Sequence, residues 1–489
     1  MDTTTADKEL GTKDDGLGPE PAAPIDPNVV NWGGPDDQGN PLNWSKNIRL
    51  GHVVLVSAIT LIVNLASTMV APGAALFMAD FHSDSSTLAS FAITIYLLGF
   101  ALGPLLVAPL SELYGRLMVY HACNVVFLGF TIGCALSKNL GMFLVFRFLT
   151  GCAGSGPLTI GGGTVSDVIP QAQRGAAMAM FAVGPLLGPV IGPVAGGFVA
   201  QYLGWRWAFW ILTIVVSFGV VSVLAFIVMR ETNATILLER KTAALRKSTG
   251  NPDLVSALDS GLTPRLLFQR TLMRPLKLLI LSPIVLLLSV FCALIFGLTF
   301  LLFTTFSPVF EQQYGFSSGI SGLAYLGLGI GMMVGVILFS VLSDKVLKKL
   351  TGDGEMKAEY RLPLMVYFTP VLPIGFFWYG WTTYYKVHWI APIIGTFFIG
   401  VGSLFVIMPA QIYLVDAFGA SAASALAANT VLRSLGGTFL PLAGPKMYEA
   451  LGLGWGNSLL GFLALAFAPV PFFFYKYGEQ ARKRWVVQL

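Results

Sequence analysis

GPLLGPVIGPVAGG, residues 184–197, lies inside a long apolar stretch. Gly184, Gly188, Gly192 and Gly196 recur every fourth residue, and Gly197 closes the run. That spacing puts the glycines on one helix face, where a second helix can approach closely. Pro185, Pro189 and Pro193 each follow one of the glycines. Each proline removes a backbone donor and strains the preceding turn, which a soluble helix does not survive three times over. A membrane helix tolerates it, because its neighbours hold the segment and water does not compete for the backbone. The run therefore reads as a bent, tightly packed membrane helix.

The composition agrees. Of 489 residues, 55% are hydrophobic and only 11% charged, against about 25% charged in soluble domains. Apolar stretches of about 20 residues, enough to cross a bilayer, recur from residue 50 onward. Twelve are counted, centred near 60, 99, 127, 152, 186, 218, 290, 331, 372, 401, 433 and 465. The expected fold is all-α and integral to the membrane. Residues 1–42 lack the apolar core of a signal peptide, and 1–45 read as a disordered tail. Cys123, Cys134, Cys152 and Cys292 all fall in apolar spans, so free buried thiols are expected rather than a disulfide or metal framework.

Basic residues collect on one set of loops. These hold Lys46, Arg49, Arg116, Arg174, nine basic residues from Arg230 to Lys277, five from Lys345 to Arg361, and the C-terminal group. The alternate loops hold only Lys138, Arg206, Lys386 and Lys446. The asymmetry predicts both termini in the cytosol. The net charge of +5 is thus a topology signal, not a sign of nucleic-acid binding.

The polar segment 230–276 divides the spans six and six, giving halves at 46–229 and 277–477 and a short cytoplasmic tail at 478–489. Within the segment, ETNATILLERKTAALRK (231–247) reads as a basic amphipathic helix on the cytoplasmic surface. PLSELYGR (109–116) follows span 2 and VLSDKVLKK (341–349) follows span 8. The shared Leu-Ser-acid run marks an internal repeat, and two repeated halves are a transporter layout with binding between them. Gly327, Gly331 and Gly335 repeat the spacing of four in span 8. Spans 5 and 8 are expected to pack through the two ridges; the alternative is ordinary packing against nearer helices.

GPLLVAPLSELYGRLMVY (103–120) resembles the loop 2–3 signature of the major facilitator superfamily. RFLTGCAGSGPLTIGGG (147–163) resembles its fourth-helix signature, and AVGPLLGPVIGPVAGG (182–197) its fifth-helix antiporter signature, typical of exporters. NPLNWSKNIR (40–49), GWRWAFW (204–210), ETNATILLERKTAALRKSTGN (231–251), ANTVLRSLGGTFLPLAGPKMY (428–448) and PFFFYKYG (471–478) are similar to fungal twelve-helix drug:proton antiporters. The chain departs from the pattern at Ala108, where the family has glycine, and at Leu117, where a second basic residue is common.

Several residues have a chemistry of their own. Gly115 permits a tight turn between spans 2 and 3. Glu112, Arg116, Asp167 and Asp344 gather at the cytoplasmic ends of spans, and Asp167 is a partner for Arg116. The resemblance implies that they form a gate closed when the inner side is closed, with Glu112 meeting the start of span 11 near Ser421, where the helix dipole favours an anion. The alternative is a static surface ion pair, worth little. Two arginines fall within spans, Arg147 and Arg433, and should face the bundle interior. Arg147 either contacts substrate or braces span 4 through carbonyls; for Arg433 bracing is the favoured reading. Asn64, Tyr96, Phe100, Phe300, Tyr325, Phe405, Gln411 and Asn429 are candidates to line a cavity, with packing as the alternative for each. No acid stands at mid-depth, so such a cavity suits neutral or weakly anionic amphiphiles over polyamines.

The reading that follows is a monomeric, multi-pass secondary transporter without a cofactor. It would export hydrophobic or amphipathic molecules, such as drugs, toxins or fungal secondary metabolites, in exchange for protons. Its expected site is the plasma membrane, with the vacuolar membrane as the alternative. An importer or uniporter of the same fold, or a non-transporting sensor, are the competing readings. No phosphate-binding loop suggests a motor, and His52, His82, His121 and His388 form no metal pattern that would suggest an enzyme.

Overall fold

The structure is a computed structural model describing residues 28–217, 229–259, 261–352 and 356–485. The first half begins with α1 (Lys46–Thr68), broken before Pro72 and continued as α2 (Ala74–Asp80). It goes on through α3 (Ser86–Tyr114), α4 (Arg116–Ala135), α5 (Leu140–Val168), α6 (Arg174–Tyr202) and α7 (Arg206–Ser217). Two helices, α8 (Ala234–Thr249) and α9 (Pro264–Leu281), connect the halves. The second half comprises α10 (Pro283–Tyr314), α11 (Ser318–Leu323), α12 (Tyr325–Thr351), α13 (Pro363–Phe368), α14 (Val371–Tyr384), α15 (Ile390–Phe418), α16 (Ala422–Phe439), α17 (Gly444–Ala466) and α18 (Pro469–Arg484). Side-chain caps start several of these helices: Ser85 accepts from the Leu88 N–H, Asn139 from Met142 and Ser282 from Val285.

Ten helical stretches are long and apolar enough to cross a membrane. The last, Ala422–Arg484, turns back at Gly452, where φ is +69°, and so supplies two crossings. Arg206–Val215 is a shorter apolar helix, and the span expected around 218 is centred outside the described residues. The all-α architecture in two halves is the one expected.

Both polar ends differ from expectation. Of the stretch read as a disordered tail, residues 1–27 lie outside the described residues, but the chain is ordered from Asn28. Val29–Val30 pairs in parallel with Val255–Ser256 of the central segment. Lys241 of α8 donates to Asp37 at 3.0 Å, and the N–H groups of Gly33 and Gly39 hold the Asp37 carboxyl down to about 2, so this anchor stays charged at neutral pH. The expected amphipathic helix is thus present as α8, with Ile236, Leu238 and Thr242 buried against protein. At the other end, α18 continues past the expected boundary at 478 to Arg484, and Arg482 clasps Glu359 with two bonds at 2.9 and 3.0 Å.

The glycine ridges pack within their own halves, which corrects the expected pairing. Gly184, Gly188, Gly192 and Gly196 lie on α1, over Leu61, Asn64, Thr68 and Met69. Gly327, Gly331 and Gly335 lie on α15, over Thr396, Phe397 and Val401. A spacing of four defines a face but not its partner, and the nearer helix of the same half takes it. At Gly192 a side chain would meet Thr68 Oγ1 at 2.6 Å and the Leu65 carbonyl at 2.9 Å. Backbone cannot move aside as a flexible side chain can. Gly192→Leu should therefore lower the yield and melting temperature of the folded protein, read by fluorescence-detected size exclusion, not transport alone.

Helix α6 does meet α11 and α12 across the halves, but on other residues. Gly197 lies on Ser318 and Gly319, Pro193 on Gly322, and Val190 on Gly329. Thr94 of α3 donates to the Thr438 carbonyl of α16 at 2.9 Å, and Gly437 receives Leu97 and Phe296. These contacts all lie toward the end opposite the central segment. One buried apolar cluster, including Val63, Tyr96, Phe100, Phe300 and Tyr325, runs through both halves.

Candidate functional site

The basic end of the first half is organised around Arg116. Gly115, at φ +92°, turns α3 into α4 with no room for a side chain, because the Glu231 carboxylate fills that space. Arg116 Nε then reaches Asp167 at 3.3 Å and its Nη1 donates to Ser111 at 2.9 Å. The second half repeats the set: Arg361 Nε meets Asp416 at 3.0 Å, its Nη1 donates to Ser343 at 3.3 Å, and Asp344 stands at 4.0 Å. Glu112 does not reach the start of α16 directly. It accepts from Thr271 of α9 at 2.8 Å, and α9 in turn packs against both α3 and α16. The Arg116–Asp167 pair is made while the halves are clamped at the opposite end. It joins helices of one half, so it does not have to break when the halves separate.

Arg147 is fully buried and chelates backbone. Its Nη1 donates to Ala66 O at 2.9 Å and its Nη2 to Ser67 O at 3.0 Å and Ile93 O at 3.1 Å, with Nε to Ala92 O at 3.4 Å. Helix α1 ends at Thr68 and the chain tightens into a 3-10 turn at Ala71–Gly73, so the last carbonyls of α1 are left for other donors. The guanidinium supplies those donors and also lies over the Tyr96 ring at 4.8 Å. Of the two alternatives for Arg147, the geometry is that of a brace.

Arg433 is the other case. Its Nε is buried with no hydrogen-bond partner among the described residues, and its guanidinium sits 4.9 Å from the Phe296 ring centroid. The bracing role favoured for Arg433 falls to Arg147 instead, for which bracing is one of two open readings.

Of the remaining candidates, Tyr96, Phe100, Phe300 and Tyr325 share the buried cluster that runs through both halves. Tyr96 touches Phe100 at 5.0 Å and donates to Val63 O at 2.9 Å. Phe300 and Tyr325 both contact Phe303, at 5.2 and 5.5 Å. Asn64 donates to Thr60 O at 2.8 Å under the glycine ridge. Asn429 donates to Ser289 at 3.3 Å, and its Oδ1 is buried with no hydrogen-bond partner among the described residues. Phe405 stands apart, stacked on Phe368 at 3.8 Å beside Phe339, and Gln411 is half-buried on the same helix. Phe405 fills packing space rather than facing the seam between the halves.

A sequence profile of the Major Facilitator Superfamily matches residues 56–441. The chain belongs to this superfamily. It is 59% identical to the MFS transporter prlG of Fungal sp. (strain NRRL 50135), over 94% of this chain and 97% of that one. It is also 59% identical to the MFS-type protein mpsC of Macrophomina phaseolina, over 94% and 91%, and 52% identical to the MFS-type transporter penM of Penicillium rubens, over 97% and 94%. Among solved structures it resembles the xylose transporter XylE of E. coli in a partially occluded inward-open conformation, with a TM-score of 0.66 at 16% identity, covering 88% of this chain and 98% of that one. A bacterial homologue of the lysosomal transporter Spinster gives 0.63 at 13%, covering 91% and 100%. These two likenesses concern the fold. The chain is thus a multi-pass membrane transporter of the superfamily, whose members are not enzymes.

Within this facilitator fold, one residue that sequence reading missed is Glu231. Its buried carboxylate accepts from the N–H groups of Arg116, Leu117, Thr232 and Asn233, at 2.9 to 3.2 Å. Two of these donors open α4, whose dipole favours an anion. The adjoining residues spread to other helices. Arg230 N–H donates to His52 of α1, Thr232 Oγ1 to Asp167 of α5, and Asn233 Nδ2 to the Ser111 carbonyl of α3. Residues 230–233 thereby tie four helices of the first half together. The available signal was the acid and Asn233 just ahead of an amphipathic run, since Asn233 caps α8 through the Thr235 N–H.

Proposed function

We propose that this transporter exports hydrophobic or amphipathic small molecules in exchange for protons, with its basic end facing the cytosol. The fungal relatives and the exporter-type signature on α6 support the class and the direction. The observation that carries proton coupling is Glu311 of α10, half-buried beside the clamp between the halves. It takes part in none of the ion pairs of the described residues. Its carboxylate accepts from Ser321 at 3.3 Å, on the helix whose Ser318 and Gly319 touch α6. The titratable groups near it are phenols, Tyr314 and Tyr325. Burying an unpaired carboxylate is costly and protonation removes that cost, so proton binding favours closure at this end. In the proposed orientation that end faces outward and samples the external pH.

The test is uptake of labelled amphiphiles into inside-out vesicles under an imposed pH gradient. Accumulation against a concentration gradient that a protonophore abolishes is expected. Equilibration independent of the gradient would identify a uniporter.

A further inference from the structure

Arg433 is a half-buried positive charge. It lies on α16 one turn from Gly437, where Leu97 of the first half meets Phe296 of the second, so it stands at the seam between the halves. No ion pair of the described residues includes it, and its Nε is enclosed without a partner. Arg147, the fully buried arginine, satisfies itself with four carbonyls. An unpaired guanidinium inside a membrane protein is expensive to hold, and an anion that binds there offsets the expense. Asn429, one helical turn away on the same face, has an equally buried Oδ1 without a partner. Whichever way round its amide is placed, one end stays open once Ser289 has taken the other. Phe296, against which Arg433 rests, touches Phe300 at 4.8 Å, so an apolar wall adjoins the two open polar groups.

We infer that Arg433 is the anchor for the anionic group of an amphiphilic carboxylic acid, with Asn429 holding a polar substituent beside it and Phe296 and Phe300 covering its apolar body. A guanidinium presents a planar fork of donors that matches a carboxylate with two parallel bonds; an ammonium cannot reproduce it. The inference rests on the reading that the protein binds amphiphilic small molecules, and it does not depend on proton coupling.

The experiment measures binding of radiolabelled dodecanoate and dodecanol to the purified full-length protein in nanodiscs. Their apolar bodies match and only one carries charge. Wild type should bind dodecanoate more tightly. Arg433→Ala and Arg433→Gln should weaken dodecanoate by about 10-fold or more and leave dodecanol unchanged, and Arg433→Lys should restore only part of the loss. Unaltered dodecanol binding also shows that the variants are folded. Equal affinities for the two probes in wild type, or equal losses for both in the variants, would overturn the anchor. Charge-selective binding without gradient-driven accumulation would overturn the exchange reading and leave the anchor standing; gradient-driven accumulation with charge-blind binding would do the reverse.

Discussion

Arg147→Ala is expected to remove most of the folded protein, and to lower export of neutral and anionic compounds by the same factor. The guanidinium is fully buried and joins two carbonyls at the end of α1 to two in α3. Truncation leaves the Ala66 and Ser67 carbonyls with no donor, because α1 has already ended just beyond them. Each buried carbonyl left without a donor costs about 1–3 kcal/mol, so the loss is a large part of a stability of about 5–15 kcal/mol. Arg147→Lys should recover little, since one ammonium cannot span carbonyls on two helices as the fork does. The melting temperature and monodisperse yield of the detergent-purified variants, with transport expressed per folded molecule, are the measurements. A variant that melts like wild type yet loses only anionic substrates would return Arg147 to a substrate-contacting role.

The two interior arginines mark where sequence reading stops. An arginine in an apolar stretch announces that it faces inward, and both do. What it meets depends on backbone that the sequence does not display. Arg147 is satisfied because the end of α1, far along the chain, leaves carbonyls beside it; Arg433 Nε finds none among the described residues. The spans, the two halves, the Arg116–Asp167 pair and the helix at 234–249 were legible because each rests on hydrophobic length, charge asymmetry or local spacing. The glycine partners were not, since periodicity fixes a face and leaves the neighbour open. Arg361 escaped as the counterpart of Arg116 for a simpler reason. In the first half the arginine lies 5 residues beyond its serine, in the second 18, so the repeat is hidden by loop length and appears only in space. Glu231 was hidden for the opposite reason: a single loop acid looks solvated until four backbone donors are seen around it.

Glu311→Gln should abolish the dependence of export on external pH and slow gradient-driven accumulation by about 10-fold or more, as the loss of a group that gives or takes the coupled proton does. In the wild type, proton binding would neutralise the carboxylate and favour the closed clamp; as pH rises the charge returns, its burial becomes costly, and the clamp opens more readily. Glutamine keeps the size and can still accept from Ser321 but holds the neutral state at every pH, so the clamp stays biased toward closure. Glu311→Asp should retain a pH response with reduced amplitude, because the shorter side chain keeps the titratable group and withdraws it from Ser321. The measurement is initial rates of uptake into inside-out vesicles as luminal pH, equivalent to the outside of the cell, is stepped while the opposite face is held constant. Counterflow exchange at fixed pH, which needs no net proton movement, should survive better than net accumulation, and this separates a coupling defect from misfolding. A Gln variant with an unchanged pH profile would remove Glu311 from the coupling path and move attention to the paired carboxylates at the basic end, Asp167 and Asp416.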